Sequence, residues 1–140
     1  MNIRWAEFGD YEAVQLFYRE CGYGGGVNDS DRVAIAVENE IIAAVRICFE
    51  QGFKVLRGMQ VAAAYQSQGL GSAILQFLDQ NLGLYDCYCL PYAHLALFYG
   101  QVGFKEILPA QAPVFLAERL GNYAVRSDTP IIIMKTNSHA

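Results

Sequence analysis

The stretch Val61–Ala62–Ala63–Ala64–Tyr65–Gln66–Ser67–Gln68–Gly69–Leu70–Gly71–Ser72 constrains this chain more than any other. A strand-like apolar run ends in it, a Gln/Ser/Gly turn follows, and a strongly periodic helix begins. Leu70, Ala73, Ile74, Phe77 and Leu78 fall at i, i+3, i+4, i+7 and i+8 of that helix. A strand–turn–helix leaves the amides of the first helical turn unpaired and pointing outward. With the positive end of the helix dipole they form a site for phosphate. Gly69 and Gly71 lack Cβ atoms, so an anion can approach the backbone closely there. The site is neither a P-loop, since no Lys-Ser/Thr follows, nor a dinucleotide turn, since no G-x-G-x-x-G is present.

Elements on either side of this stretch follow from the apolar pattern. Ile3–Ala6 reads as a first strand, and Asp10 as a cap for a helix over Tyr11–Cys21 that Gly22 ends. Gly22–Asp31 is too glycine-rich for regular structure and reads either as a plain surface loop or as a mobile lip over a pocket. Arg32–Glu38, Ile41–Phe49 and Lys54–Val61 are three successive antiparallel strands, turning at Asn39–Glu40 and Gln51–Gly52. Beyond Gly83 come a strand over Tyr85–Leu90, a short helix through Tyr99, a strand from Phe104, a helix over Val114–Leu120 and an interior strand over Ile131–Lys135. That order points to a mixed-sheet α/β domain spanning residues 1–140.

A chain of 140 residues buries a core without disulfides or metals. Its net charge of −4, with no basic stripe, argues against a nucleic-acid partner. No basic-then-apolar leader opens it and no apolar run is long enough to span a bilayer, so a cytoplasmic protein with no membrane partner is expected. Cys21, Cys48, Cys87 and Cys89 are then expected as thiols.

The spelling Gln66-x-x-Gly69-x-Gly71, with Val61 five residues ahead of the Gln and Tyr65 just before it, resembles the acyl-CoA-binding motif of the GNAT (GCN5-related) N-acetyltransferases, Arg/Gln-x-x-Gly-x-Gly/Ala. Phe98–Tyr99–Gly100–Gln101–Val102–Gly103–Phe104 resembles that family's F-Y-x-x-x-G-F segment, in the right order downstream. The resemblance runs from the first strand to Phe104 and fades after it. It implies an α/β fold of GNAT type, with a mixed, mostly antiparallel central sheet flanked by helices.

It also implies acetyl-CoA as cosubstrate, no metal, and direct transfer of acetyl to a primary amine, on a small molecule or a peptide. Backbone groups at Val61 and Ala63 would take the pantetheine arm, with the Val61 N–H on the thioester oxygen, and Ala62 between them counts among the cofactor-binding residues. The amides of Gln66, Ser67, Gln68, Gly69, Leu70, Gly71 and Ser72 would hold the pyrophosphate. Tyr99 would be the general acid, since a phenol is protonated at neutral pH and can give its proton to a departing thiolate. A homodimer through the C-terminal strands is a further implication.

Three positions depart from the pattern. Ala63 stands where the family often has Pro, and Tyr92 where it often has Asn. Arg57–Gly58–Met59–Gln60 offers no carboxylate as a base, and Gln60 cannot take a proton. His94 has a suitable range for that role but reads equally as a surface residue, and deprotonation through water is an alternative. Cys87 and Cys89 share a strand face beside His94, yet lack a fourth ligand and the C-x-x-C spacing of a zinc site. Two other classes stay open: an acyl-CoA-binding regulatory domain without turnover, and a small interaction domain in which the glycines serve only the fold.

Overall fold

Four antiparallel strands stand side by side in chain order: β1 (Asn2–Trp5), β2 (Arg32–Glu38), β3 (Glu40–Glu50) and β4 (Phe53–Val61). With the helices α1 (Tyr11–Glu20) and α2 (Leu70–Leu82) they form the first of two compact units, Met1–Gly83. A second unit runs from Leu84 onward. The computed structural model describes residues 1–138.

Side-chain alternation splits the first unit's sheet into two faces. Ile35, Ala44 and Val33 pack with Val14, Phe17 and Tyr18 of α1 in one buried cluster. Trp5 and its partner Ala34 lie on the other face, where the Trp5 ring meets Phe77 of α2 edge-on at 5.2 Å. The two helices therefore cover opposite faces. The β3–β4 hairpin turns at Gln51 and Gly52, with φ of +51° and +83°, as a two-residue hairpin loop requires.

α1 begins at Tyr11 as the pattern requires, but Asp10 caps it by position only. Its carboxylate instead accepts from the Glu7 amide at 2.8 Å and from Arg4 at 2.9 Å. At the other end, Gly22 N–H donates to Arg19 C=O and Tyr23 N–H to Tyr18 C=O, the paired bonds that close a helix.

In the second unit β5 (Cys87–Cys89), β6 (Lys105–Ile107) and β7 (Ile133–Lys135) are antiparallel, with β7 in the middle. The helices are α3 (Ala96–Gly100) and α4 (Val114–Arg126). β5 is shorter than its apolar run because Asp86 takes a left-handed φ of +51° just ahead of it. β7 starts at Ile133, since Ile131 makes only an isolated bridge to Tyr92. α4 continues past Leu120 to Arg126, because neither Gly121 nor Asn122 interrupts it. Among the described residues no helix is long and apolar enough to cross a membrane.

Candidate active site

The register of β4 decides which way Val61 faces. Ala44 pairs with Gln60 and Arg46 with Arg57, so Gly58 and Met59 together oppose the single residue Val45. This is a β-bulge, and Gly58 adopts the left-handed φ of +70° that such bulges favour. Past it, the Ala62 N–H donates to Ile42 C=O at 2.8 Å, which leaves the Val61–Ala43 pair at a non-hydrogen-bonded position. The N–H and C=O of Val61 thus point to the edge of β4 away from β3. In an unbroken ladder counted from Arg57 they would point toward β3.

The chain then turns through Ala63–Tyr65 and enters α2. Gln66 Nε2 donates to Val61 C=O at 3.0 Å, and Gln68 Nε2 to Ala64 C=O at 3.2 Å, so the two glutamines brace the turn with their side chains. One of the two backbone groups assigned to Val61 is therefore already engaged from within the turn. Ser67 and Gly69 take left-handed φ of +63° and +79°. The ladder of α2 begins with Ala73 N–H donating to Gly69 C=O at 3.0 Å, so the amides of Leu70 and Gly71 precede it. No side chain caps this terminus. A loop with two left-handed residues and a helix start free of a capping side chain suits a phosphate-bearing ligand such as coenzyme A.

Gln60 shares the α1 face with its partner Ala44, and beside it opens a cleft of about 610 Å³. One wall is α1, through Leu16, Phe17 and Glu20. The tip of the β2–β3 hairpin also lines the cleft, through Val37, Asn39, Glu40 and Ile41. Gln60, Val61, Ala62, Ala63 and Gln66 line the end of β4, whereas Gln68–Ser72 take no part. The phosphate-type helix start and the cleft thus lie toward opposite faces of the sheet and meet at Val61. The Arg4–Asp10 pair lies at the cleft, and that guanidinium, with the Glu7 amide, holds the Asp10 carboxyl below its usual range.

Beneath α1 lies a buried polar group that the sequence reading missed. Arg46 donates to Asp31 Oδ2 at 3.1 Å and to the Tyr23 hydroxyl at 2.8 Å, with its side chain 3% exposed. The only signal was one Arg inside the apolar run Ile41–Phe49. Asp31 Oδ2 also accepts from the Asn28 amide at 2.9 Å, and the Val27 amide donates to Gln15 Oε1 at 3.0 Å. The glycine-rich segment is therefore tied at Tyr23, Val27, Asn28 and Asp31, and none of its residues lines the cleft. Burial pushes the Cys48 thiol up to about 12, against the opposing pull of Arg46.

In the second unit, Tyr99 sits in α3, 7% exposed, with edge-on ring contacts to Phe98 at 4.9 Å and Phe104 at 6.1 Å. His94 is exposed and stacks on Tyr92 with ring centroids 5.7 Å apart. Cys87 and Cys89 are buried cysteines outside any disulfide, and burial drives the Cys89 thiol well above its ordinary range. Among the described residues no group of three or more His, Cys, Asp or Glu is placed to hold a metal ion.

Residues 29–106 match the family model described as the acetyltransferase (GNAT) domain. No curated protein matches the sequence. Among solved structures, the chain resembles the ribosomal-protein-S18-alanine N-acetyltransferase of Escherichia coli at 19% identity and TM-score 0.68, covering 99% of this chain and 95% of that one. Rv2747 of Mycobacterium tuberculosis, solved in complex with CoA, is similar at 17% identity and TM-score 0.68, covering 99% and 100%. An acyl-CoA N-acyltransferase of Pseudomonas aeruginosa matches at 18% identity and TM-score 0.63, covering 97% and 99%. These likenesses show the fold: α/β, with a mixed, mostly antiparallel central sheet flanked by helices.

Proposed function

This chain belongs to the acetyltransferase (GNAT) family, and on that premise we propose that it moves an acetyl group from acetyl-CoA to a primary amine by direct attack. The observation that carries the reading is the bulge at Gly58–Met59, which turns the Val61 N–H away from β3 immediately before the helix start. The pyrophosphate is assigned to the amides from Ser67 to Ser72, the pantetheine arm to Val61 and Ala63, and the acceptor to the cleft on the α1 face; the Ala62 N–H and C=O are taken by Ile42 and Tyr65, and the Gln66 N–H by Ala63.

The amine nitrogen attacks the thioester carbonyl carbon, and the oxygen becomes anionic on the Val61 N–H. As the C–S bond breaks, Tyr99 gives its proton to the sulfur, and the proton shed by the amine leaves through water. Gln60 orients the amine or that water by hydrogen bonding and takes no proton. Direct attack needs no cysteinyl intermediate, and the burial of Cys48, Cys87 and Cys89 agrees with their having no part in it. The same reading carries acetyl-CoA without a metal, residues 1–140 acting as one domain, a homodimer and a cytoplasmic setting.

One observation favours a second reading, a domain that binds acyl-CoA without turnover: β4 presents Gln60, not a carboxylate, at the cleft. Tyr99→Phe separates the two. In an enzyme it lowers kcat by roughly 10²-fold while acetyl-CoA affinity stays, measured by thiol release against a panel of amines. An unchanged kcat would remove Tyr99 from the mechanism, and no turnover in the parent protein on any amine would favour the binding domain.

A further inference from the structure

Resting on the transferase reading, we infer that Arg46 is a positioning residue. Buried beneath α1, it holds β4 in its bulged register and so keeps the Val61 N–H turned away from β3, free for the thioester oxygen. The backbone alone does not select that register. An unbroken ladder from Arg57 would pair Gly58 with Val45, Met59 with Ala44 and Gln60 with Ala43, and would bond the backbone equally well. Side-chain polarity does not select it either, since the slip would only put Met59 on the α1 face in place of Gln60.

What differs between the two registers is the space beside Arg46. Its side chain lies on the α1 face, as does that of Ala44 two residues before it. The guanidinium is pinned there: one terminal nitrogen donates to Asp31 Oδ2 and to Cys48 Sγ, the other to the Tyr23 hydroxyl. The glycine-rich segment covers this end, with Gly25 so close over Tyr23 that a Cβ there would overlap the phenol ring. At the other end, Arg46 Nε and the Tyr18 hydroxyl stand against the place a Gly58 side chain would take. In the bulge the Gly58 backbone fills the space next to those two buried atoms. In an unbroken ladder Gly58 would face α2 beside Val45 and leave a void there. The pinned guanidinium could not move in to close it, and a void that cannot collapse is costly. Arg46 thus acts through Gly58 and Val61 and touches neither acetyl-CoA nor the amine.

The test uses Arg46→Lys, which keeps a charge for Asp31 but loses the fork and its Nε. In the parent protein the non-hydrogen-bonded Val61–Ala43 pair brings two Hα atoms together, so a nuclear Overhauser cross-peak joins them. In the variant that cross-peak is expected to weaken, with one between Gln60 and Ala43 taking its place. The infrared band of an isotope-labelled acetyl carbonyl in bound acetyl-CoA, lowered in the parent protein by the Val61 N–H, is expected to return toward its free frequency. A purely structural Arg46 would lower the urea midpoint and leave the cross-peaks unmoved, and that result in a folded variant would overturn the inference. Should Arg46→Lys not fold, Tyr23→Phe, which removes one partner of the fork and spares the Asp31 pair, decides by the same cross-peaks. These are read without ligand and so judge Arg46 apart from the transferase reading. A parent protein that binds acetyl-CoA with no lowering of the band contradicts the role of Val61 alone.

Discussion

At Gly58 one missing side chain decides two things at once. The backbone there holds φ at +70°, and a Cβ would stand 2.7 Å from the Tyr18 hydroxyl and 3.1 Å from Arg46 Nε. Both of those polar atoms are buried without a hydrogen-bond partner among the described residues, so the bulge, the phenol and the guanidinium crowd around one point. Gly58→Ala is expected to cost about 2–4 kcal/mol in urea unfolding, from the left-handed backbone and the overpacking together. A cost below about 1 kcal/mol would show that the bulge relaxes freely around a side chain.

At the scale of the element, the turn between β4 and α2 is held by its own glutamines. Gln66→Ala removes the bond to Val61 C=O, which is exposed and so contributes only about 0.5–1.5 kcal/mol to stability. Its larger effect is expected on acetyl-CoA affinity, a several-fold weakening seen by titration, because the loop no longer holds its anion-binding shape. Unchanged affinity would mean that the left-handed residues Ser67 and Gly69 suffice. The existence of this element was legible in the sequence: the apolar run, the turn glycines and the helical period all pointed to it. What the Gln66 side chain does was not, because a glutamine after a strand reads the same whether it faces a ligand or a carbonyl. The bulge was equally hidden, since Arg57–Gly58–Met59–Gln60 carries no pairing information until β3 lies beside it. Likewise the cleft draws its lining from α1, from the tip of the β2–β3 hairpin and from the end of β4, segments distant in sequence whose common site no local pattern announces.

Over the whole molecule, several buried acids titrate high for one reason, loss of water around the charged form. Burial raises Tyr18, Cys48 and Cys89 alike, Cys48 to about 12. In the unfolded chain a thiol ionises near ~8.5 and a phenol near ~10. The folded state therefore holds more protons than the unfolded state across the alkaline range, and stability falls as pH rises. Urea midpoints are expected to be flat with respect to these groups below about pH 8 and to drop progressively above about pH 9. A flat profile to pH 11 would mean that these groups reach water. The order of the strands and helices was legible in the sequence; the strand ends were not, since β5 starts only after the left-handed Asp86 and Ile131 makes an isolated bridge ahead of β7.

The central claim is that the strand end at Val61 and the helix start at Leu70 together hold acetyl-CoA. Calorimetric titration of the protein with acetyl-CoA, beside a Gly71→Trp variant of equal urea stability, tests it without knowledge of the acceptor. Micromolar binding that the variant loses is the predicted result. A folded parent protein that takes up no acetyl-CoA, or a variant that binds as well as the parent, would contradict it.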